Sequence, residues 1–326
     1  MLIRKIFLCC TGLAAAIGMA GVAAAQGFPT KPVRIIVGFP PGGAVDIVAR
    51  TIAAPMGEIL GQQVVVDTRP GANGSIGAEL VAKAPPDGHT IGLVSISSMV
   101  LNVHLYPNVP YPTLRDFTPI SNVGLLPFVI AVHPAVPARS LKALIALAKT
   151  QPGKLMFGTP GIGGLQHLTL EMLNSVAKVN INHVPYKGTG PAMTDVMGGH
   201  IDGVIGGVPG ILGPHRAGKL NALALTGELR TPAMPDVPTA KEQGLPDLVV
   251  VNWYAIVGPS NLAPDVLNAL HASIVKGAAF PATRDKFAAA GVDVKTDPTP
   301  TAFANYVREE FTRWGAIVKK AGVKIE

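Results

Sequence analysis

The residues best suited to chemistry fall in two short stretches built on one pattern, an apolar run followed by a glycine turn and a helix start. The first reads VRIIVGF (Val33 to Phe39), then Pro40-Pro41-Gly42-Gly43, then apolar helical positions at Val45, Val48, Ile52, Met56, Ile59 and Leu60. The second reads KLMFG (Lys154 to Gly158), then Thr159-Pro160-Gly161-Ile162-Gly163-Gly164, then Leu165, Leu168, Met172 and Leu173. A helix start presents unpaired N–H groups and about half a positive charge, and glycine lets a ligand approach them closely. One such turn in each half of the chain suggests a clamp around a small anion. Neither copy carries a recognisable catalytic group.

Other chemistries are poorly supported. The eight histidines (His89, His104, His133, His167, His183, His200, His215 and His271) do not fall at metal-ligand spacing, and no cysteine assists them, so neither a metal nor a cofactor is expected. Gly74-Ser75-Ile76-Gly77 is one residue short of a nucleophile elbow. Gly213 to Leu220 nearly matches a phosphate loop, but Leu220 stands where the hydroxyl should be and the segment precedes a strand. Gly161-x-Gly163 has Gln166 where a dinucleotide fingerprint needs glycine.

Some single residues carry two readings. Asp46 in the first helical turn stabilises the helix and would repel an anion in direct contact, so a ligand role would run through water, neighbouring N–H groups or a ligand amine or hydroxyl. Arg69, in the glycine-rich RPGANGSIGAE, can fork onto a carboxylate, yet Asp67 two residues away can occupy it. Alternation along TIGLVSIS sends Ser95 and Ser97 to one face, with Ser97 at the strand end where such sheets bind ligands. In HVPYKGTGPA, Tyr186 offers an aromatic wall and a hydroxyl and is preferred to Lys187 as a contact. Trp253 is read as hinge packing or pocket wall.

The elements that must hold these residues alternate. Short β-branched runs at 33–39, 63–67, 90–97, 128–134, 155–158, 181–186, 202–207 and 220–227 are separated by helical patterns such as 140–150 and 191–199, which predicts an α/β chain with largely parallel sheets. Two apolar runs, NVGLLPFVIAVH (Asn122 to His133) and LVVVNWYAIVGP (Leu248 to Pro259), exceed an ordinary strand and are expected to cross between two sheets. That divides the chain into a discontinuous domain 1 (26–126 and 254–326) and an inserted domain 2 (127–253). The tail from Pro264 is helical.

Composition sets the surroundings. Arg4 and Lys5, an uncharged stretch from Ile6 to Ala25 and the run Ala23-Ala24-Ala25 form a secretory signal, with cleavage expected near Ala25/Gln26. An uncleaved anchor is the rival reading, and the small-residue run favours removal. Cys9 and Cys10 both fall inside this segment, leaving the mature chain without a thiol. The formal charge of +7 favours anionic ligands, while 5% aromatic residues and no Lys/Arg run argue against nucleic acid.

The assembled stretches resemble the Bug family, the periplasmic receptors of tripartite tricarboxylate transporters. The matching segments are KPVRIIVGFPPGGAVDIVAR, RPGANGSIG, PPDGHT, YPTLRDFTPI, QPGKLMFGTPGIGGLQHL, HVPYKGTGPA, GGHIDG, MPDVPTAKEQG and FTRWGAIVKKAG, in order over almost the whole mature chain. Thr68, Asn73 and His89 depart from the family's usual residues without removing a clamp element. The resemblance implies a two-lobed, type II-like periplasmic binding-protein fold, two mixed α/β sheets joined by two crossover strands. It implies a non-enzymatic monomer that grips a small organic carboxylate between the lobes and hands it to integral-membrane permease subunits. Carried over by position, the contacts are Pro41, Gly42, Gly43, Asp46 and Ser97 from one lobe, with Thr159, Gly161, Gly163, His167 and Tyr186 from the other. Two alternatives stay open: an adaptor that informs a sensor kinase, and a periplasmic α/β hydrolase in which Ser97 and His167 would be the catalytic pair.

Overall fold

The computed structural model describes residues 27–186 and 188–321. The expected signal segment with its two cysteines, and Lys187, lie outside the described residues. The first part of the chain runs β1 (Val33–Val37), α1 (Ala44–Leu60), β2 (Val64–Thr68), α2 (Ser75–Ala82), β3 (Thr90–Ser95), α3 (Asn102–Leu105), α4 (Thr113–Asp116) and β4 (Phe117–Val132). It continues through α5 (Leu141–Thr150), β5 (Met156–Thr159), α6 (Leu165–Ala177), β6 (Asn182–Pro185), α7 (Thr189–Met197), β7 (Gly203–Gly207), α8 (Val208–Arg216) and β8 (Asn221–Leu225). The return comprises β9 (Val251–Pro259), α9 (Pro264–Ala278), α10 (Pro281–Ala289), β10 (Asp293–Val294) and α11 (Pro300–Ala321). No helix among the described residues is long and apolar enough to cross a membrane.

Two sheets share the 16-residue strand β4. Its first part pairs antiparallel with β9, from Phe117 opposite Pro259 to Pro127 opposite Val251. From Phe128 onward it pairs antiparallel with β7 and β8 instead. On one side of this change lie β1, β2 and β3, parallel to one another; on the other lie β5, β6 and β7, also parallel. The expectation of largely parallel sheets therefore needs correcting. Each lobe keeps a parallel half, whereas β4, β8, β9 and β10 run antiparallel because the crossing strands enter and leave in opposite directions.

The parallel strands read as continuous apolar runs because both of their faces are covered. In β1, Val33, Ile35 and Val37 join the core under α1 and α9, and Ile36 joins a second core on the opposite face. In β4, Phe128, Ile130 and Val132 alternate with Val129 and Ala131 in the same way. The second core runs through both sheets, from Ile36 and Val94 past Trp253 to Leu144 and Leu168, and α11 adds Phe303 and Trp314 to it. Helix α2 lies so close to β1 that a Cβ on Gly77 would stand 2.6 Å from Gly38 Cα.

The two crossings are joined by one fully buried hydroxyl. Thr226 follows β8, and its Oγ1 accepts the Phe128 N–H at 2.9 Å and donates to the Val250 carbonyl at 2.6 Å. Its own N–H donates to Phe128 O at 2.9 Å, and its carbonyl accepts the Val250 N–H at 2.8 Å. Both chain passages thus hydrogen-bond to a single residue. Replacing it by its apolar isostere leaves Phe128 N–H and Val250 C=O buried without these partners, which costs about 1–3 kcal/mol each. Thr226→Val should lower the urea midpoint accordingly, with Thr226→Ser closer to wild type; equal midpoints for wild type and the valine variant would refute the role given to the hydroxyl.

Candidate functional site

The lobe-1 turn begins where β1 ends, and Gly42 takes φ +80°, a left-handed conformation that disfavours any side chain. Gly43 is extended at φ −76°, ψ 167° and caps α1 without a side-chain hydrogen bond. The Gly42 N–H donates to Asp46 Oδ2 at 3.0 Å, and Arg50 Nε donates to both Asp46 oxygens at 3.0 and 2.9 Å. Asp46 is 3% exposed. Burial pushes its carboxyl up, but the hydrogen bonds from Arg50 and Gly42 and the Arg50 charge outweigh that and hold it below the usual carboxylate range. Arg50 also neutralises a carboxylate that would otherwise repel an anion at this helix start.

The lobe-2 turn repeats the geometry with different chemistry. Gly163 takes φ +73° and Gly164 is extended at φ −66°, ψ 160°, capping α6. The Gly163 N–H donates to His167 Nδ1 at 3.0 Å. In the neutral ring the proton therefore sits on Nε2, which lies 3.7 Å from Glu171 Oε1. The His167 ring stacks on His183, with centroids 3.8 Å apart and planes at 16°. Burial pushes His167 below its ordinary value. Burial, with the neighbouring His167, pushes His183 down to about 4.

Thr159, fully buried at the end of β5, contacts Gly161 O at 3.1 Å and His183 Nε2 at 2.6 Å through its hydroxyl. Its carbonyl accepts the Tyr186 N–H at 3.0 Å. The Tyr186 hydroxyl donates to Asp195 Oδ2 at 2.7 Å; burial and the adjacent carboxylate push it up to about 12. The structure thus gathers Thr159, Gly161, Gly163, His167 and Tyr186 about one turn, and Pro41, Gly42, Gly43 and Asp46 about the other. Pro41, Gly42 and Gly43 are exposed, as is Ile162 between the lobe-2 glycines.

Ser97 does not stand where strand alternation puts it. Strand β3 stops at Ser95, and Ser97 opens a π-helical turn over Ser97–Leu101, so the two serines do not share a strand face. The cause is local, because Ser98 Oγ donates to the Ser95 carbonyl at 3.2 Å and ends the strand early. Among the described residues no hydrogen bond joins Ser97 to His167, whose Nδ1 is held by Gly163. Arg69 is taken by Asp67, Nε to Oδ1 at 3.0 Å. Ser75, in the same glycine-rich loop, accepts Asn102 Nδ2 at 2.8 Å and the Tyr111 hydroxyl at 3.2 Å, and Asn102 Oδ1 accepts Asn73 Nδ2 at 2.9 Å. No group of His, Cys, Asp and Glu among the described residues is placed to hold a metal.

The sequence reading missed Arg50, His183 and the glycine-to-acceptor hydrogen bonds. A signal was available, since Gly42-Gly43-Ala44-Val45-Asp46 and Gly163-Gly164-Leu165-Gln166-His167 share one spacing.

The model of the tripartite tricarboxylate transporter family receptor matches residues 48–323. The chain belongs to that family. BugT of Bordetella pertussis is 37% identical to this receptor over 310 residues, 95% of each chain. The periplasmic binding protein BugD has a similar structure, with TM-score 0.75 and 33% identity over 92% of the receptor and 100% of BugD. The R. palustris protein Rpa4515, whose structure contains adipate, has TM-score 0.78 and 30% identity over 91% of the receptor and 99% of that chain. The receptor therefore has the two-lobed periplasmic binding-protein fold and is not an enzyme.

The histidine pair makes the fold sensitive to acid. The folded state holds His183 near 4, and His167 too is lowered, whereas both are ordinary histidines when unfolded, near 6.5. Between these values the unfolded chain binds more protons, so stability is full above about 6.5 and falls as pH drops toward 4. Urea titrations at pH 7.5, 6 and 5 should show this fall, and His183→Gln should flatten it; an unchanged slope in that variant would show that His183 does not titrate as described.

Proposed function

We propose that this receptor binds a small organic carboxylate between its lobes and delivers it to the permease subunits of a tripartite tricarboxylate-type transporter. The observation that carries the reading is the repeated glycine turn at a helix start, once in each lobe, following the carboxyl ends of the parallel strands β1 and β5, where sheets of this kind generally bind ligands. Adipate in Rpa4515 supports a dicarboxylate as ligand class. The contacts in this reading lie at the Pro41 to Gly43 and Gly161 to Gly164 turns, through the N–H groups of Ala44 and Val45 and of Leu165 and Gln166, since Asp46 and His167 hold those of Gly42 and Gly163, with Ser97 and Tyr186 flanking them. The lobes are 26–126 with 254–326, and 127–253, after removal of a signal near Ala25/Gln26. Closure bends the chain near Leu125 to Phe128 and Val251 to Ala255, and ligand stabilises the closed state through its differential affinity.

The test is a thermal-shift screen of the chain from Gln26, refolded to strip carried-over ligand, against adipate, malate, citrate, acetate, amino acids and neutral amides. A ligand at 100 times its dissociation constant should stabilise the fold by roughly 2.7 kcal/mol. A shift confined to one acid class supports the clamp and names its substrate. A folded sample that responds to no acid overturns the carboxylate reading.

A further inference from the structure

We propose that Asp46 and His167 are paired positioning residues, each clasping the left-handed glycine ahead of its own helix to fix the ligand-binding N–H groups, and that protonation of His167 opens the lobe-2 clasp alone. This rests on the receptor reading for its consequence in binding, while the clasps themselves stand on the geometry of the two turns.

The turns are copies in detail. Each has a glycine near φ +75°, at +80° and +73°, followed by an extended glycine cap. The left-handed glycine donates its N–H over 3.0 Å to the side chain four residues on, Asp46 Oδ2 in one lobe and His167 Nδ1 in the other. The N–H groups of Gly42 and Gly163 therefore point back into their own helices. The donors left for a ligand are those further along, at Ala44 and Val45 and at Leu165 and Gln166, which begin their helices and have no carbonyl one turn earlier to bond. A glycine without its clasp regains the broad backbone freedom of that residue type, and the donors beyond it lose their fixed direction.

The acceptors differ in how they respond to protons. Asp46 faces Arg50, which keeps it ionised, and a carboxylate remains an acceptor throughout the neutral and mildly acidic range. His167 faces His183 of β6 across the ring stack and Glu171 of its own helix, and His183 is in turn bound to the Thr159 hydroxyl. A protonated imidazole carries hydrogen on both nitrogens, so Nδ1 can no longer accept from Gly163. Burial resists that proton, and the stacked His183 resists a second charge beside the first. The lobe-2 turn is accordingly held at neutral pH and released on acidification, while the lobe-1 turn is held throughout.

The experiment uses the mature receptor labelled with 15N-glycine, measuring amide protection factors at Gly42 and Gly163 and adipate affinity by calorimetry between pH 8 and 5. His167→Ala should cut Gly163 protection at least tenfold, leave Gly42 unchanged and weaken adipate about tenfold. His167→Asn returns an acceptor to the Nδ1 position, so it should recover both and keep them at pH values where wild type loses them. Asp46→Ala should do the converse at Gly42, with recovery in Asp46→Asn. Wild-type Gly163 protection that is flat to pH 5, or unchanged in His167→Ala, overturns the proposal, as does failure of His167→Asn to recover it. Should His167→Ala not fold, the pH profile of His167→Asn decides alone. Wild type that fails to bind adipate at pH 8 counts against the dicarboxylate reading, while the protection factors still decide the clasp.

Discussion

The two passages of chain between the sheets meet at one buried threonine. Sheet order, lobe identity and the placing of the glycine turns all require that the chain cross from one sheet to the other and return. Each crossing interrupts the regular ladder, since β4 changes partners at Pro127 and Phe128 and the return reaches β9 only at Val251. Backbone groups at such a change of partner must be paired inside an apolar core, where an orphan is costly. Thr226 supplies both an N–H and a carbonyl, and a hydroxyl that gives and takes. The two passages are therefore pinned to each other at the edge of the second sheet by hydrogen bonds gathered at one point, next to the β4–β9 ladder and the shared apolar core that holds Phe128, Trp253 and Trp314.

The glycine turns show how little side-chain charge such a receptor need present. The formal charges near them are absorbed locally, Asp46 by Arg50 and Asp67 by Arg69 and Arg34. The hydroxyls of Thr159 and Tyr186 are spent on His183 and Asp195. In the proposed clamp, main-chain donors at the starts of α1 and α6, aided by their helix dipoles, would provide the attraction, and the surrounding side chains would fix where those donors lie. Electrostatic preference would then come from the backbone, beside the exposed apolar surfaces of Pro41 and Ile162.

Much of the architecture is legible in the sequence because burial on both faces gives parallel strands a plain signature. The runs at 33–39, 90–97 and 202–207 each contain an observed strand, and the two long apolar runs are the passages that link the sheets. What stayed hidden follows from local hydrogen bonding that apolar periodicity does not encode. Ser98 ends β3 early, so Ser97 leaves the strand face. The stacking of His167 on His183 joins a helix to a strand and is invisible to spacing along the chain. The mixed sheets were carried by the family resemblance and not by the apolar pattern, because a crossing strand looks the same in sequence whichever way it enters.

The partnership of β3 with β9 also governs the order in which the protein can come into being. The sheet of the second lobe is assembled from β4 to β8, a continuous stretch whose contacts close as soon as that stretch exists. The first lobe is not so placed, because Ser95 must wait for Tyr254, and Gly92 for Val257, before β3 has its neighbour. A long search for a distant partner is slow, since loop closure must be paid before the contacts reward it. The sheet of the inserted lobe can thus be completed from one continuous stretch, whereas the lobe that begins the chain needs a strand from its far end.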